Sequence, residues 1–170
     1  NFAQLVQAMD EVGYRPEVIA QDANFYDPAW LDAAGASADG VFVRTVFWPL
    51  EEADANPATQ QYLDLMESTG GKVAQLGTQS LSAWLLFAQA ARDCDRADDL
   101  TRSCVLEATA AVSDWTGGGL HAPTDPGANE PPECTIVLRV EDGGFVRHAP
   151  DEGYDCGEGH DGAFLVDIDV

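Results

Sequence analysis

The sequence is poor in positive charge. Eight Lys and Arg stand against 30 Asp and Glu, for a formal net charge of -22. Lys72 is the single lysine. A surface of this sign repels nucleic acid and anionic lipid, which excludes DNA binding and a polybasic membrane contact. No apolar run approaches the length of a membrane span. The C-x-x-C spacing of a redox dithiol is absent, as are the C-x2-C and H-x3-H spacings common at zinc sites. There is no G-x-S-x-G, H-E-x-x-H or P-loop, so the chain reads as a non-enzyme with no cofactor. The acids are scattered between apolar runs rather than gathered in a block, which argues for a folded chain. Asn1 is preceded by neither Met nor a signal peptide, and a processed or cut product is the expectation.

What is present suits a domain with a real core: 170 residues with 45% hydrophobic content. The four cysteines, Cys94, Cys104, Cys134 and Cys156, allow three pairings. "QSLSAWLLFAQAARDC" reads as a helix, with Leu81, Trp84, Leu85, Ala88 and Ala91 on its packing face. "TRSCVLEATAAV" reads as the next helix, with Thr101 as N-cap and Cys104 in the first turn. One helix end meets the next helix start, so Cys94 and Cys104 can bridge. Closing that loop contributes roughly 3 kcal/mol in the chain-entropy account. Cys134 and Cys156 flank "TIVLRVEDGGFVRHAP", a β-hairpin turning at Asp142-Gly143-Gly144. They lie at its open end. Two local staples imply an oxidising compartment.

The order of elements is α/β. "FAQLVQAMDEVG" is an amphipathic helix with Phe2, Leu5, Val6, Met9 and Val12 on one face, stopped by Gly13. "PEVIAQD" is a short strand. "YDPAWLDAAG" is a helix capped by Asp27, with Pro28 at its first position and Gly35 as its stop. "GVFVRTVF" is apolar on both faces except near Arg44, as a buried parallel strand is. "WPLEEADANP" breaks the pattern as a crossover. A helix capped by Asn56 follows, then the two helices above. "TGGGLHAPTDPGANEPPE" is a second crossover, and "AFLVDI" is a last short strand. Two parallel strands and a late hairpin make a thin sheet, so residues are expected to be missing before Asn1.

This succession resembles the C-terminal half of type I periplasmic substrate-binding proteins, the branched-chain amino-acid-binding group of ABC transporters. The matching stretches are "VIAQDANFYDPAW", "AAGASADGVFVRTVFWPLEEA", "NPATQQYLDLM", "SLSAWLLFAQAARDC", "LTRSCVLEATAAV" and "CTIVLRVEDGGFVRHAPDEGYDC". The resemblance implies a parallel-sheet fold of two lobes that close on a ligand by hinge motion. Residues 1–47 then belong to the second lobe, 48–55 to a hinge crossover and 56–115 to the first lobe. Residues 116–133 are a Gly/Pro-rich crossover, and 134–170 return to the second lobe as hairpin and tail. The implied partners are a small amino-acid-like, aromatic or amide ligand, an ABC permease, and the N-terminal half of the same protein, which this sequence lacks. That half carries the family's Ser/Thr-rich clamp for a ligand carboxylate. The implied location is extracellular or periplasmic, with a lipoprotein anchor on the full-length protein. A ligand-sensing or adhesive extracellular domain without transport stays open as the alternative.

Ligands of open α/β sheets bind beyond the carboxyl ends of strands. Two such ends are readable: Asn24, Phe25 and Tyr26 after the first strand, and Phe47 and Trp48 after the second. A third candidate is a helix start at Thr78, Gln79 and Ser80, with free backbone N–H groups. The aromatics at these ends favour a stacked, apolar or ring-bearing ligand, and each also has a plain reading as core or cap. Trp30 and Trp84 are read as packing. His160, with Asp155, Glu158 and Asp161, either binds a divalent cation or is a solvated acidic tail. No metal site is assigned.

Overall fold

A computed structural model describes residues 2–129 and 132–157. The expected strand "AFLVDI" and most of the His160 cluster lie outside the described residues. Four strands form one mixed sheet in the order β1-β2-β3-β4: β1 (Ala20–Gln21), β2 (Phe42–Thr45), β3 (Ile136–Glu141) and β4 (Gly144–Ala149). Only β1 and β2 are parallel; β2–β3 and β3–β4 are antiparallel. The β3–β4 hairpin turns through Asp142 and Gly143, both at positive φ (51° and 78°), the backbone that matches strand twist in a two-residue turn.

One face of the sheet is the main core. Val43, Ile136, Leu138 and Val140 are fully buried there. Against them pack Ala3 and Val6 of α1 (Phe2–Glu11) and Trp30 and Ala34 of α2 (Pro28–Ala34). Each buried valine, leucine or isoleucine here contributes roughly 1.5–3 kcal/mol on burial. Helix α2 starts as its sequence dictates: the Asp27 carboxylate accepts from the Ala29 N–H at 2.9 Å, with Pro28 at the first position. Two expectations change here. The packing face of α1 is Phe2, Ala3 and Val6, whereas Leu5 and Val12 are exposed. Strand β2 is not covered on both sides. Val43 and Thr45 point into the core, whereas Phe42 is half-buried and Arg44 exposed. On that outer face the Arg139 guanidinium lies 5.7 Å over the Phe42 ring.

The helical part comprises α3 (Pro57–Thr69), α4 (Gln75–Arg96) and α5 (Arg102–Ala110). Asn56 caps α3, accepting from Ala58 and Thr59 N–H at 3.0 Å each. Thr101 caps α5 through the Cys104 N–H at 3.2 Å. Both disulfides form as the local geometry predicts, with Cα–Cα distances of 6.0 Å for Cys94–Cys104 and 3.9 Å for Cys134–Cys156. The packing face of α4 differs from expectation. Trp84 and Leu85 are 65% and 41% exposed. The buried positions are Gln75, Thr78, Ser82, Ala90 and Cys94. Helix periodicity finds an apolar stripe; it does not say whether anything lies against it. Among the described residues, no helix is long and apolar enough to cross a membrane.

Candidate functional site

Helix α4 begins at Gln75, earlier than Thr78. The cause is Tyr62 of α3, which is fully buried. Its hydroxyl donates to the Ala74 carbonyl at 3.0 Å and accepts from the Ala74 N–H at 3.3 Å, so a neighbouring helix supplies the missing side-chain cap. A Cβ at Gly77 would lie 2.1 Å from that hydroxyl. Gly77 therefore permits the close approach instead of breaking the helix. Consequently Thr78 is not at a helix start: it is buried, and its hydroxyl donates to the Gln75 carbonyl at 2.7 Å. Gln79 and Ser80 lie on exposed turns beyond it.

The first strand end feeds a 3-10 turn, Ala23–Phe25. Asn24 is exposed, with its backbone and side-chain N–H groups both donating to the Asp22 carboxylate at 3.3 Å. Phe25 is half-buried, edge-on to Phe2 at 5.1 Å and Trp30 at 5.9 Å. Tyr26 is not free to stack on a ligand. It is 2% exposed, with its ring edge-on to Phe145 at 4.7 Å. Its role is structural: it joins its own loop to the first crossover and to the start of α4. Its carbonyl accepts from Gln75 N–H at 3.2 Å, at the start of α4. Its hydroxyl accepts from the Leu50 N–H at 2.7 Å and donates to the Glu51 carboxylate, both in the crossover. Burial and the Glu51 charge push this hydroxyl far up from its ordinary value. Desolvation likewise raises the Glu51 carboxyl.

The two crossovers run side by side. Phe47 pairs with His121 as an isolated antiparallel bridge, and Trp48 N–H donates to the Leu120 carbonyl at 2.9 Å. Asn56 Nδ2 adds a bond to the Gly119 carbonyl at 2.9 Å. Phe47 is buried, with Tyr62 and Leu120 in a second small core. Beside it lies a mainly apolar pocket of about 230 Å³ lined by Phe47, Gln79, Ser82, Trp115 and His121. Its polar groups form a chain. Trp115 Nε1 donates to Ser82 Oγ at 2.9 Å. Ser82 Oγ lies 2.7 Å from His121 Nε2, and His121 Nδ1 lies 2.8 Å from the Ala122 carbonyl. A carbonyl only accepts, so Nδ1 carries the proton and Nε2 accepts from Ser82. Burial lowers the His121 pKa and favours this neutral form. Gly117 allows the contact; a Cβ there would sit 2.7 Å from Ser82 Oγ.

Trp48 is half-buried on the other side of the crossover. Its Nε1 donates to the Glu52 carbonyl at 3.1 Å. Tyr26 thus meets the crossover at Leu50 and Glu51 and the start of α4 at Gln75, Gln79 shares a pocket with Phe47, and the Trp48 ring instead faces Tyr154 and Arg147. Neither Asn24 nor Ser80 lines that pocket. Sequence reasoning missed Gln75, His121 and Ser82, and also Glu52 and Arg147. Arg147 had a readable signal: in the register Leu138↔Arg147 it occupies an inward position of β4, and an inward arginine needs an acid or carbonyl oxygens to meet it. Among the described residues no group of His, Cys, Asp or Glu could hold a metal.

A family model described as periplasmic binding protein matches residues 1–144. No curated protein sequence matches the chain. Solved structures do. A leucine-binding protein from Thermotoga maritima MSB8 superposes with TM-score 0.67 at 17% identity, covering 86% of this chain and 40% of that one. A branched-chain amino acid ABC transporter protein from Thermus thermophilus with bound valine gives 0.68 at 16% identity, covering 86% and 41%. An extracellular ligand-binding receptor from Rhodopseudomonas palustris gives 0.63 at 19%, covering 86% and 44%. The present chain spans less than half the length of these structures. It belongs to the periplasmic binding protein family, and its open mixed sheet is part of the two-lobed type I fold.

Proposed function

We propose that this member of the periplasmic binding protein family is the solute-binding component of an ABC importer, located outside the cytoplasmic membrane. The observation that carries the reading is the convergence of three segments at Tyr26: the loop that ends there, the crossover at Leu50 and Glu51, and the start of α4 at Gln75. In an α/β architecture that is where a solute enters. The solute is a small amino acid or related molecule with an apolar or ring-bearing side chain. It lies against Asn24, Phe25, Trp48, Gln79 and Ser80, with Tyr26, Phe47 and Thr78 as buried supports. Segments 1–47 and 134–170 belong to one lobe and segment 56–115 to the other, and the lobes move about the crossovers 48–55 and 116–133. The remaining half of the protein supplies the other wall and covers the apolar side of α4. The protein works without catalysis, and its membrane partner is a permease.

A second reading, a sensor without transport, is favoured by the likeness to the extracellular ligand-binding receptor. A thermal-shift screen of the full-length protein against the twenty amino acids, amides and aromatic acids tests the reading. A true solute raises the melting temperature in proportion to the logarithm of its concentration above Kd. A flat response to the whole panel would reject an amino-acid-like solute.

A further inference from the structure

We infer that Arg147 is a positioning residue that fixes the Trp48 ring and ties the first crossover to the end of the hairpin. Its side chain is only 9% exposed. A cation that deep needs a full set of partners, and it has them. Nε lies 2.8 and 3.1 Å from the two Glu52 carboxylate oxygens, and Nη2 lies 2.7 Å from Oε2. Nη1 donates to the carbonyls of Gly153 at 2.9 Å and Pro150 at 3.3 Å. The guanidinium lies 5.1 Å from the centre of the Trp48 ring, and Tyr154 meets that ring edge-on at 5.8 Å. Trp48 Nε1 in turn holds the Glu52 carbonyl. Residue 52 is therefore gripped at its carboxylate by Arg147 and at its backbone by Trp48.

The consequence is a link between segments far apart in sequence. Glu52 lies in the crossover, Arg147 in β4, and Pro150 and Gly153 in the loop running to Cys156. Cys156 is joined to Cys134, where the second crossover ends. One planar cation thus ties the first crossover to the loop that ends at the Cys134–Cys156 disulfide, and it packs against an aromatic ring of that crossover. The geometry demands arginine: a lysine ammonium makes neither the two-pronged carboxylate contact nor the flat stack on indole. The positioning of Trp48 stands on this structure alone. Its effect on solute affinity rests on the proposed function.

The test uses the full-length protein labelled with 5-fluorotryptophan, with the Trp48 fluorine line assigned from Trp48→Phe. In Arg147→Lys the Trp48 line should move toward the free-tryptophan position and its solvent-isotope shift should at least double. The Trp30 line should stay in place. Glu52→Gln should give a smaller change in the same direction, and it carries the test if Arg147→Lys does not fold. A Trp48 line unmoved in the folded variants would overturn the inference. So would an equal displacement of the Trp30 line, the mark of general loosening. Titration with L-leucine and L-phenylalanine separates the two claims. A released Trp48 with unchanged affinity supports the positioning role and counts against Trp48 as a solute contact.

Discussion

Leu138, at the centre of the sheet, is completely buried, whereas Trp84, on α4, is 65% exposed. The contrast runs through both layers. The sheet layer closes on itself: α1, α2 and strands β2, β3 and β4 share one continuous apolar cluster. The helical layer has a small core of Phe47, Tyr62 and Leu120, of which Phe47 comes from the segment after β2 and Leu120 from the second crossover. Its helices are held by caps, a disulfide and borrowed hydrogen bonds. The difference teaches that apolar side chains on α4 and apolar side chains in the sheet, similar in sequence, contribute to stability in unlike ways.

The comparison can be broken first by truncation. Leu138→Ala should cost about 2–5 kcal/mol, the range for a buried leucine. Leu85→Ala, on the exposed side of α4, should cost within about 0.5 kcal/mol in the chain as it stands. Urea unfolding measures both, and equal losses would show that α4 is packed as the sheet is. Next comes the staple. Replacing both Cys94 and Cys104 by Ser should cost about 3 kcal/mol by chain entropy, read by the same unfolding curves. The cap is smaller. Asn56→Ala removes the bonds to Ala58 and Thr59 and the link to Gly119, and should cost about 1–2 kcal/mol.

The smallest effect is the pH dependence at His121. Its folded-state pKa lies below the ordinary 6.5, so the unfolded chain takes up the proton first. The stability associated with its neutral form is full above pH 6.5 and is lost as pH falls through the lowered folded value. Among the described residues, the ring meets Phe47, Ser82 and the Ala122 carbonyl, none of them a carboxylate or a cation, and Ser82 also accepts from Trp115. Comparing wild type with His121→Gln between pH 7 and pH 4.5 isolates this contribution. The wild type should lose its advantage as the solution is acidified, and a constant difference would contradict the neutral assignment.

Much of this fold was legible in the sequence because much of it is local. Asp27-Pro28, Asn56-Pro57 and Thr101 announce their helices, and Asp142-Gly143 announces the hairpin. Each cysteine pair closes a short loop. What was illegible depends on partners distant in sequence. Tyr62 caps α4 from another helix, which moves the helix start from Thr78 to Gln75. The exposure of Trp84 and Leu85 is invisible to periodicity, which reports a stripe but not its cover. At the site, Phe47 and Trp48 were found from strand ends, but their ring environments come from His121 and Arg147, 74 and 99 residues further along by sequence number. Tyr26 shows the limit of the aromatic argument: the ring was seen, and its burial against Phe145 was not.

The central claim is that a solute binds at the boundary where Trp48 stands. The most direct measurement is calorimetric titration of the full-length protein with L-leucine and L-phenylalanine, in wild type and in Trp48→Ala. The account predicts saturable binding of at least one of the two. It also predicts a loss of roughly 1–3 kcal/mol in the variant, or about 5- to 150-fold in Kd. Saturable binding with the same Kd in both proteins, or no binding of either amino acid to the wild type, would contradict it.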